Sequence, residues 1–147
     1  MDDEAARRFA GSVPRWPPFG DTSKFLQEMG SRGYKRYILS NVDNDLLEET
    51  IGNNGLEVDG FVTAEEVGSY KPRTDHWLEF LRRTGARKDE VLHVAQSVFH
   101  DIMPTQQLGI DSVWVNRYQE PLPADASPLI ISDGLDSLAT TLKLEES

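Results

Sequence analysis

Three groups of polar side chains stand at places where the chain could do chemistry. Ser40 and Asn41 directly follow an apolar run, Lys71 precedes a proline, and Asp101 follows a second apolar run by a short loop. Ser40 and Asn41 can hold a carboxylate, halide or phosphate through their side chains and backbone N–H groups. The ammonium of Lys71 can pin a carboxylate, and the carboxylate of Asp101 can orient that lysine or a water molecule. These residue types indicate a site for a small anion.

Each residue also has a purely structural interpretation. Asn41 can cap the helix that opens near Asp43, Lys71 can be a solvated lysine beside a turn, and Asp101 can cap the helix that follows it. What favours chemistry is the joint spacing, because Ser40 to Lys71 is one β-α-β step and Lys71 to Asp101 is a second. Local sequence leaves both interpretations open for each residue.

The elements that must position these residues alternate between short apolar strands and amphipathic helices, which is typical of a parallel α/β sheet. The predicted strands are Tyr37–Leu39, Gly60–Thr63, Val91–Ala95, Ser112–Val115 and Leu129–Ile131. The predicted helices lie at residues 22–30 (or to 33), 43–51, 72–85, 104–108 and 135–142. This order predicts a doubly wound parallel sheet. Because ligands bind at the carboxyl ends of the strands in such sheets, we expect the site at that edge.

The same segments resemble the motifs of a known family. Residues 37–41 read YILSN, residues 69–72 read SYKP and residues 92–101 read LHVAQSVFHD, in the order of the second, third and fourth motifs of the haloacid dehalogenase (HAD) superfamily. Residues 112–117, SVWVNR, are similar to a strand of the 2-haloacid dehalogenase branch. The resemblance runs from about residue 16 to 117, with a weaker continuation to 144. It implies an α/β fold with a HAD-like Rossmannoid core.

The resemblance also implies an activity and roles for the candidate residues. Members of this branch hydrolyse the carbon–halide bonds of small 2-haloacids, and an aspartate nucleophile forms a covalent ester that water then cleaves. Carried over by motif, Ser40 and Asn41 bind the substrate, while Lys71 and Asp101 are catalytic. Lys71 steadies the nucleophile, and Asp101 positions that lysine or the attacking water.

The nucleophile itself has no counterpart in the sequence. The family places it at the end of a strand ahead of the position of Ser40, but Asp2 and Asp3 follow no apolar run. Asp43 and Asp45 stand at the start of a predicted helix, where they complement the helix dipole. Whether the chain is an enzyme is therefore left open, and we expect it to be inactive alone.

The missing residue implies a missing central strand. Because strands lie about 4.8 Å apart, its loss would leave a gap of about 10 Å flanked by unpaired backbone groups, and such edges favour self-association. The flanking strands could pair directly, another chain could supply the strand, or the segment could belong to a longer protein, which is the simplest explanation. In this interpretation residues 1–20 are the end of a cap domain and a proline-rich linker, and residues 21–147 are the HAD-like core.

Two departures from the family pattern concern metal and substrate. Phosphatase members place a Mg²⁺-binding acid about five residues before the position of Asp101, where this chain has Gln96. A neutral amide is a poorer ligand for a hard cation, so we expect no metal and no other cofactor. Val98 stands where the dehalogenases place an asparagine, which leaves the substrate's identity open.

Composition excludes several other classes of protein. The chain of 147 residues has a net charge of -10, which argues against nucleic acid as a partner, and no apolar run is long enough to span a membrane. Cysteine is absent, which fits a cytoplasmic protein. His93, inside an apolar strand, is predicted to be a core histidine, and His76 and His100 lack the spacing of a metal site.

Two other functional interpretations compete with that of an incomplete hydrolase. The chain could be a noncatalytic anion-binding or regulatory module that keeps Ser40, Asn41 and Lys71. A receiver domain of two-component signalling also uses a strand-ending hydroxyl and a lysine, but its acidic pair and phosphoacceptor aspartate are missing here. The sequence does not name a substrate, an oligomeric state or a pathway.

Overall fold

A computed structural model describes residues 3–145. The chain divides into two compact units, Met1–Gly68 and Ser69–Ser147. The predicted division at residue 20 into a cap remnant and a core stays a prediction.

The first unit contains four helices and a pair of parallel strands. The helices are α1 (Asp3–Ser12), α2 (Thr22–Ser31), α3 (Asn44–Asn54) and α4 (Ala64–Val67), and the strands are β1 (Tyr37–Ser40) and β2 (Gly60–Thr63). The strands pair in parallel, with Ser40 opposite Thr63 at their carboxyl ends. Phe25, Met29, Leu47 and Val62 form the buried apolar core of this unit.

Local sequence explains where these elements end. Helix α3 stops at Gly55, whose φ of 59° lies in the left-handed region that glycine adopts without a steric penalty. Helix α4 opens on a capping box, in which the Thr63 hydroxyl accepts from the backbone N–H of Glu66 and the Glu66 carboxylate accepts from that of Thr63. The sequence did not predict α4, because four residues are too few for a helical pattern.

The prolines of the linker predict an extended segment, but part of it forms a helical turn. Val13–Arg15 forms a 3₁₀ turn, since the φ of proline is compatible with a helical turn. Pro14 is buried, and its carbonyl oxygen accepts a hydrogen bond of 3.1 Å from the side chain of Asn53 in α3. Residues 17–19 form no regular element.

The second unit contains a three-stranded parallel sheet. Its strands β3 (Leu92–Ala95), β4 (Asp111–Val115) and β5 (Ile130–Ser132) pair in the order β3-β4-β5, and its helices are α5 (Asp75–Thr84), α6 (Met103–Leu108) and α7 (Leu135–Glu145). A 3₁₀ turn spans Lys88–Glu90, and a π-helical turn spans Val98–Ile102 between β3 and α6. Trp77, Ile102, Val113, Trp114 and Leu138 are among the buried side chains.

The fold class predicted from sequence is confirmed. All five predicted strands are present with ends within one residue of the prediction, and every pairing is parallel. The strands form two sheets, with β1 and β3 in different ones. Between residue 3 and the start of β1 the chain forms helices and a 3₁₀ turn rather than a strand. No helix within residues 3–145 combines the length and the apolar composition needed to cross a membrane.

Candidate functional site

The clearest polar feature of the second unit is a buried ion pair. The Lys71 Nζ atom lies 2.7 Å from Oδ1 of Asp101, and the two side chains are only 11% and 8% exposed. Lys71 is therefore not a solvated lysine, and Asp101 lies inside the π-helical turn rather than capping α6. An ion pair this far from water persists only with good geometry and further hydrogen bonds.

Lys71 is carried by a turn that is tied to the start of α5. The Ser69 hydroxyl donates a hydrogen bond of 2.7 Å to Asp75 in the first turn of that helix, and the Tyr70 carbonyl accepts from the backbone N–H of Arg73. The hydrogen bond from Ser69, with the nearby charge of Arg73, lowers the pKa of Asp75 although partial burial opposes this. These contacts fix the segment on both sides of Lys71.

Asp101 is aimed by the π-helical turn that follows β3. Ser97 caps this turn, since its hydroxyl accepts from the backbone N–H of His100 at 3.1 Å. On the other side, the buried hydroxyl of Thr105 lies 2.9 Å from the carbonyl oxygens of both Asp101 and Ile102. π-Helical turns are rare in proteins, and many of those that do occur lie at functional sites.

His93 belongs to the same cluster, although its position inside an apolar strand had suggested a plain core histidine. Its Nε2 atom lies 3.0 Å from Oδ1 of Asp101, and its Nδ1 atom lies 3.4 Å from Nε1 of the fully buried Trp77. The sequence contains one signal for this contact, which is the spacing. His93 lies in the strand, and Asp101 follows the same strand eight residues later.

The surroundings of Asp101 favour its ionised form. Burial alone would raise the pKa of this carboxyl, and it is the largest single effect. The hydrogen bonds from His93 and Lys71, together with the positive charges of these two groups, outweigh burial, so the pKa lies below its ordinary value. Asp101 therefore carries a full negative charge at neutral pH and is acceptor-only.

Ser40 and Asn41 lie in the first unit, at the carboxyl end of β1. Ser40 is the last residue of the strand and Asn41 follows it, three residues before α3 begins. Both are half-buried. Asp43, rather than Asn41, is the N-cap residue of α3, so the structural interpretation of Asn41 as the helix cap is wrong. The structure thus brings Lys71 and Asp101 together in one unit, and Ser40 and Asn41 are neighbours in the other.

Of the aspartates considered as nucleophiles, Asp3, Asp43 and Asp45 do not end a strand. Asp43 occupies the N-cap position of α3 without a capping hydrogen bond from its side chain, and Asp45 lies in the first turn and accepts a hydrogen bond of 2.8 Å from the backbone N–H of Leu46. Asp3 is the first residue of α1, and Asp2 lies outside the described residues.

In the part of the chain that the structure describes, the side chains that could bind a metal ion do not form a metal centre. There, no three His, Cys, Asp or Glu side chains are grouped so as to hold a metal ion, and the amide of Gln96 is exposed. Gln96 helps to line an open pocket of about 350 Å³, together with Ser97, Trp114 and Glu120.

Comparison with known proteins agrees with this architecture. The sequence profile of the family described as haloacid dehalogenase-like hydrolase matches residues 5–115. Haloacetate dehalogenase H-2 of Moraxella sp. (strain B) is 24% identical over 119 residues, which are 80% of this chain and 53% of that protein. Glyceraldehyde 3-phosphate phosphatase of Methanothermobacter thermautotrophicus is 30% identical over 101 residues, or 67% of this chain and 45% of that protein. The chain thus spans about half the length of these relatives.

Solved structures show the same fold. L-2-haloacid dehalogenase from Xanthobacter autotrophicus superposes with a TM-score of 0.87 at 21% identity, covering 97% of this chain and 68% of that one. A HAD phosphatase from Thermococcus onnurineus superposes with a TM-score of 0.79 at 22% identity, covering 91% of this chain and 64% of that one. Similarity to both dehalogenases and phosphatases, with a profile that matches most of the sequence, leads to one conclusion. The chain belongs to the haloacid dehalogenase-like hydrolase family.

Proposed function

We propose that this chain is the core of a hydrolase that acts on a small anionic substrate of the 2-haloacid type. The observation that carries the proposal is the buried pair of Lys71 and Asp101, joined by a contact of 2.7 Å. Removing two charged groups from water costs several kcal/mol of desolvation free energy. Ionisable groups with perturbed pKa values of this kind cluster at functional sites.

The chemistry assigns a part to each group. An ammonium has three N–H donors, so it can hold Asp101 and another acceptor at the same time. Lys71 steadies a carboxylate, which in this family is the attacking aspartate, while Asp101 holds the lysine in place. Ser40 and Asn41, at the end of β1, bind the substrate's anionic group or the charge that develops on it, as donors at strand ends do in sheets of this kind.

We further propose that the chain by itself does not turn over substrate. Displacement of a halide by a covalent mechanism needs a carboxylate nucleophile. Between residue 3 and the end of β1, no aspartate ends a strand, and the acids at the start of α3 belong to its first turn and cap.

Binding of 2-chloropropionate tests the site directly. We expect the ε-carbon NMR signal of Lys71 to shift on titration with 2-chloropropionate, and expect weaker shifts with inorganic phosphate. Asn41→Ala should abolish binding and Lys71→Ala should weaken it, whereas the matched control Lys88→Ala, at an exposed lysine on a 3₁₀ turn, should leave it unchanged. Equal binding by the Lys71→Ala variant would contradict the proposed role of Lys71, and preference for phosphate would favour a phosphatase.

Turnover tests the second part of the proposal. Release of chloride from 2-chloropropionate and of nitrophenol from p-nitrophenyl phosphate should both stay at the level of the Lys71→Ala variant. Turnover well above that level would mean that one of the aspartates in this chain serves as nucleophile.

A further inference from the structure

His93 joins two parts of the second unit that are distant in sequence. From its place in β3, one ring nitrogen reaches Asp101 in the π-helical turn at 3.0 Å, and the other faces the indole N–H of Trp77 in α5 at 3.4 Å. The rings of Trp77 and His93 meet edge to face, with centroids 5.3 Å apart.

Hydrogen-bond chemistry decides which nitrogen of His93 carries the proton. The indole Nε1–H of Trp77 is a donor only, so Nδ1 of His93 must be the acceptor. In a neutral imidazole the proton is then on Nε2, from which it is donated to the carboxylate of Asp101. Trp77 is fully buried, so water does not compete for this contact.

We propose that His93, oriented by Trp77, is a positioning residue for Asp101 and, through Asp101, for the ammonium of Lys71. The role of the ion pair in this inference rests on the proposed function, whereas its geometry does not. The contacts of Lys71 and His93 converge on the same oxygen, Oδ1.

Two bonds from different directions restrict the carboxylate more than an ion pair alone. A single contact with Lys71 leaves the carboxylate free to rotate about its own bond. The second contact comes from β3, and its donor is held by a ring that packs against α5. The lysine and the histidine are the titratable groups in contact with Asp101. A charge held by directed bonds from rigid elements is the arrangement that a precise site requires.

Nuclear magnetic resonance of the full chain can test this without ligand. In the wild type, histidine ¹⁵N spectra should show His93 as the neutral tautomer protonated on Nε2. A ¹³C titration of the Asp101 carboxyl should give a higher pKa in His93→Leu than in the wild type. His93→Gln, whose amide can donate from a similar position, should restore most of the difference. Trp77→Phe should keep the proton of His93 on Nε2, because Asp101 can only accept, and should shift the Nδ1 signal, because that nitrogen loses its donor.

Binding of 2-chloropropionate then links the position to the site. His93→Leu should weaken binding about tenfold, the effect of one hydrogen bond to a charged group, and His93→Gln should weaken it less. An unchanged pKa of Asp101 in His93→Leu, or a wild-type tautomer protonated on Nδ1, would overturn the inference. If these responses appear but the wild type binds no 2-chloropropionate, the proposed function fails and the positioning role stands. Should His93→Leu not fold, the wild-type tautomer and the Trp77→Phe spectrum decide.

Discussion

Replacing Lys71 by methionine removes the ammonium and keeps an unbranched side chain of similar length. The carboxylate of Asp101, 8% exposed, would then stay buried without its cation. Removing one partner of a buried ion pair costs about 3–5 kcal/mol. Because His93 still donates to Oδ1, we expect the lower end, about 3 kcal/mol, which is a large part of a typical stability.

Urea unfolding at pH 7 measures this loss as a change in the free energy of unfolding. For a chain of this size, about 3 kcal/mol corresponds to a melting temperature lower by roughly 6–12 °C. A double-mutant cycle with Asp101→Leu isolates the pair. The double variant should be more stable than Lys71→Met alone, because it no longer buries an uncompensated charge.

The pH dependence gives an independent check. In the wild type the pKa of Asp101 is lowered on folding, so its stabilising contribution is complete above the ordinary value of 3.8 and is lost as the pH falls through the folded pKa. In Lys71→Met, burial is opposed only by His93, so the folded pKa is higher than in the wild type. The stability difference should therefore shrink as the pH falls and Asp101 of the variant takes up its proton. A loss below about 1 kcal/mol at pH 7, the usual range for an exposed pair, would refute the description of this pair as buried and coupled.

Two further predictions concern the first unit, and thermal unfolding tests both. Gly52→Ala, in α3 with open space around the glycine, should stabilise the chain by about 0.5–1 kcal/mol. Gly55→Ala, at a φ of 59°, should instead destabilise it by about 1 kcal/mol. A change of the same sign in both variants would contradict the assigned end of α3. Thr63→Val should cost about 1–2 kcal/mol, because the lost hydroxyl caps α4 and also donates to Oδ1 of Asn44. Thr50→Val, which removes only a hydroxyl bonded to the preceding helical turn, is its control and should cost much less.

Much of the fold could be predicted because its signals are local. Gly60–Thr63 was predicted with its exact bounds, since a short run of β-forming residues is set off by a glycine and a cap. The assignment of strands to two sheets could not be predicted in this way, because strand order depends on which segments meet rather than on the composition of any one of them. Helix α4 was missed for the opposite reason, as it is too short to have a period.

For the candidate site, too, some features follow from the local sequence and others only from the tertiary structure. By itself, the sequence determined the strands to within one residue and placed Ser40, Lys71 and Asp101 at their ends or between them, because strand and helix signals depend on neighbouring residues. Only the tertiary structure decided that Lys71 is buried against Asp101 and that His93 is its second partner. Burial and partner choice arise where segments 30 residues apart come together, and local periodicity contains no information about that meeting. For His93 the difference is decisive, because an apolar strand predicts only that its side chain is sheltered, whereas the folded chain places Trp77 on one nitrogen and Asp101 on the other.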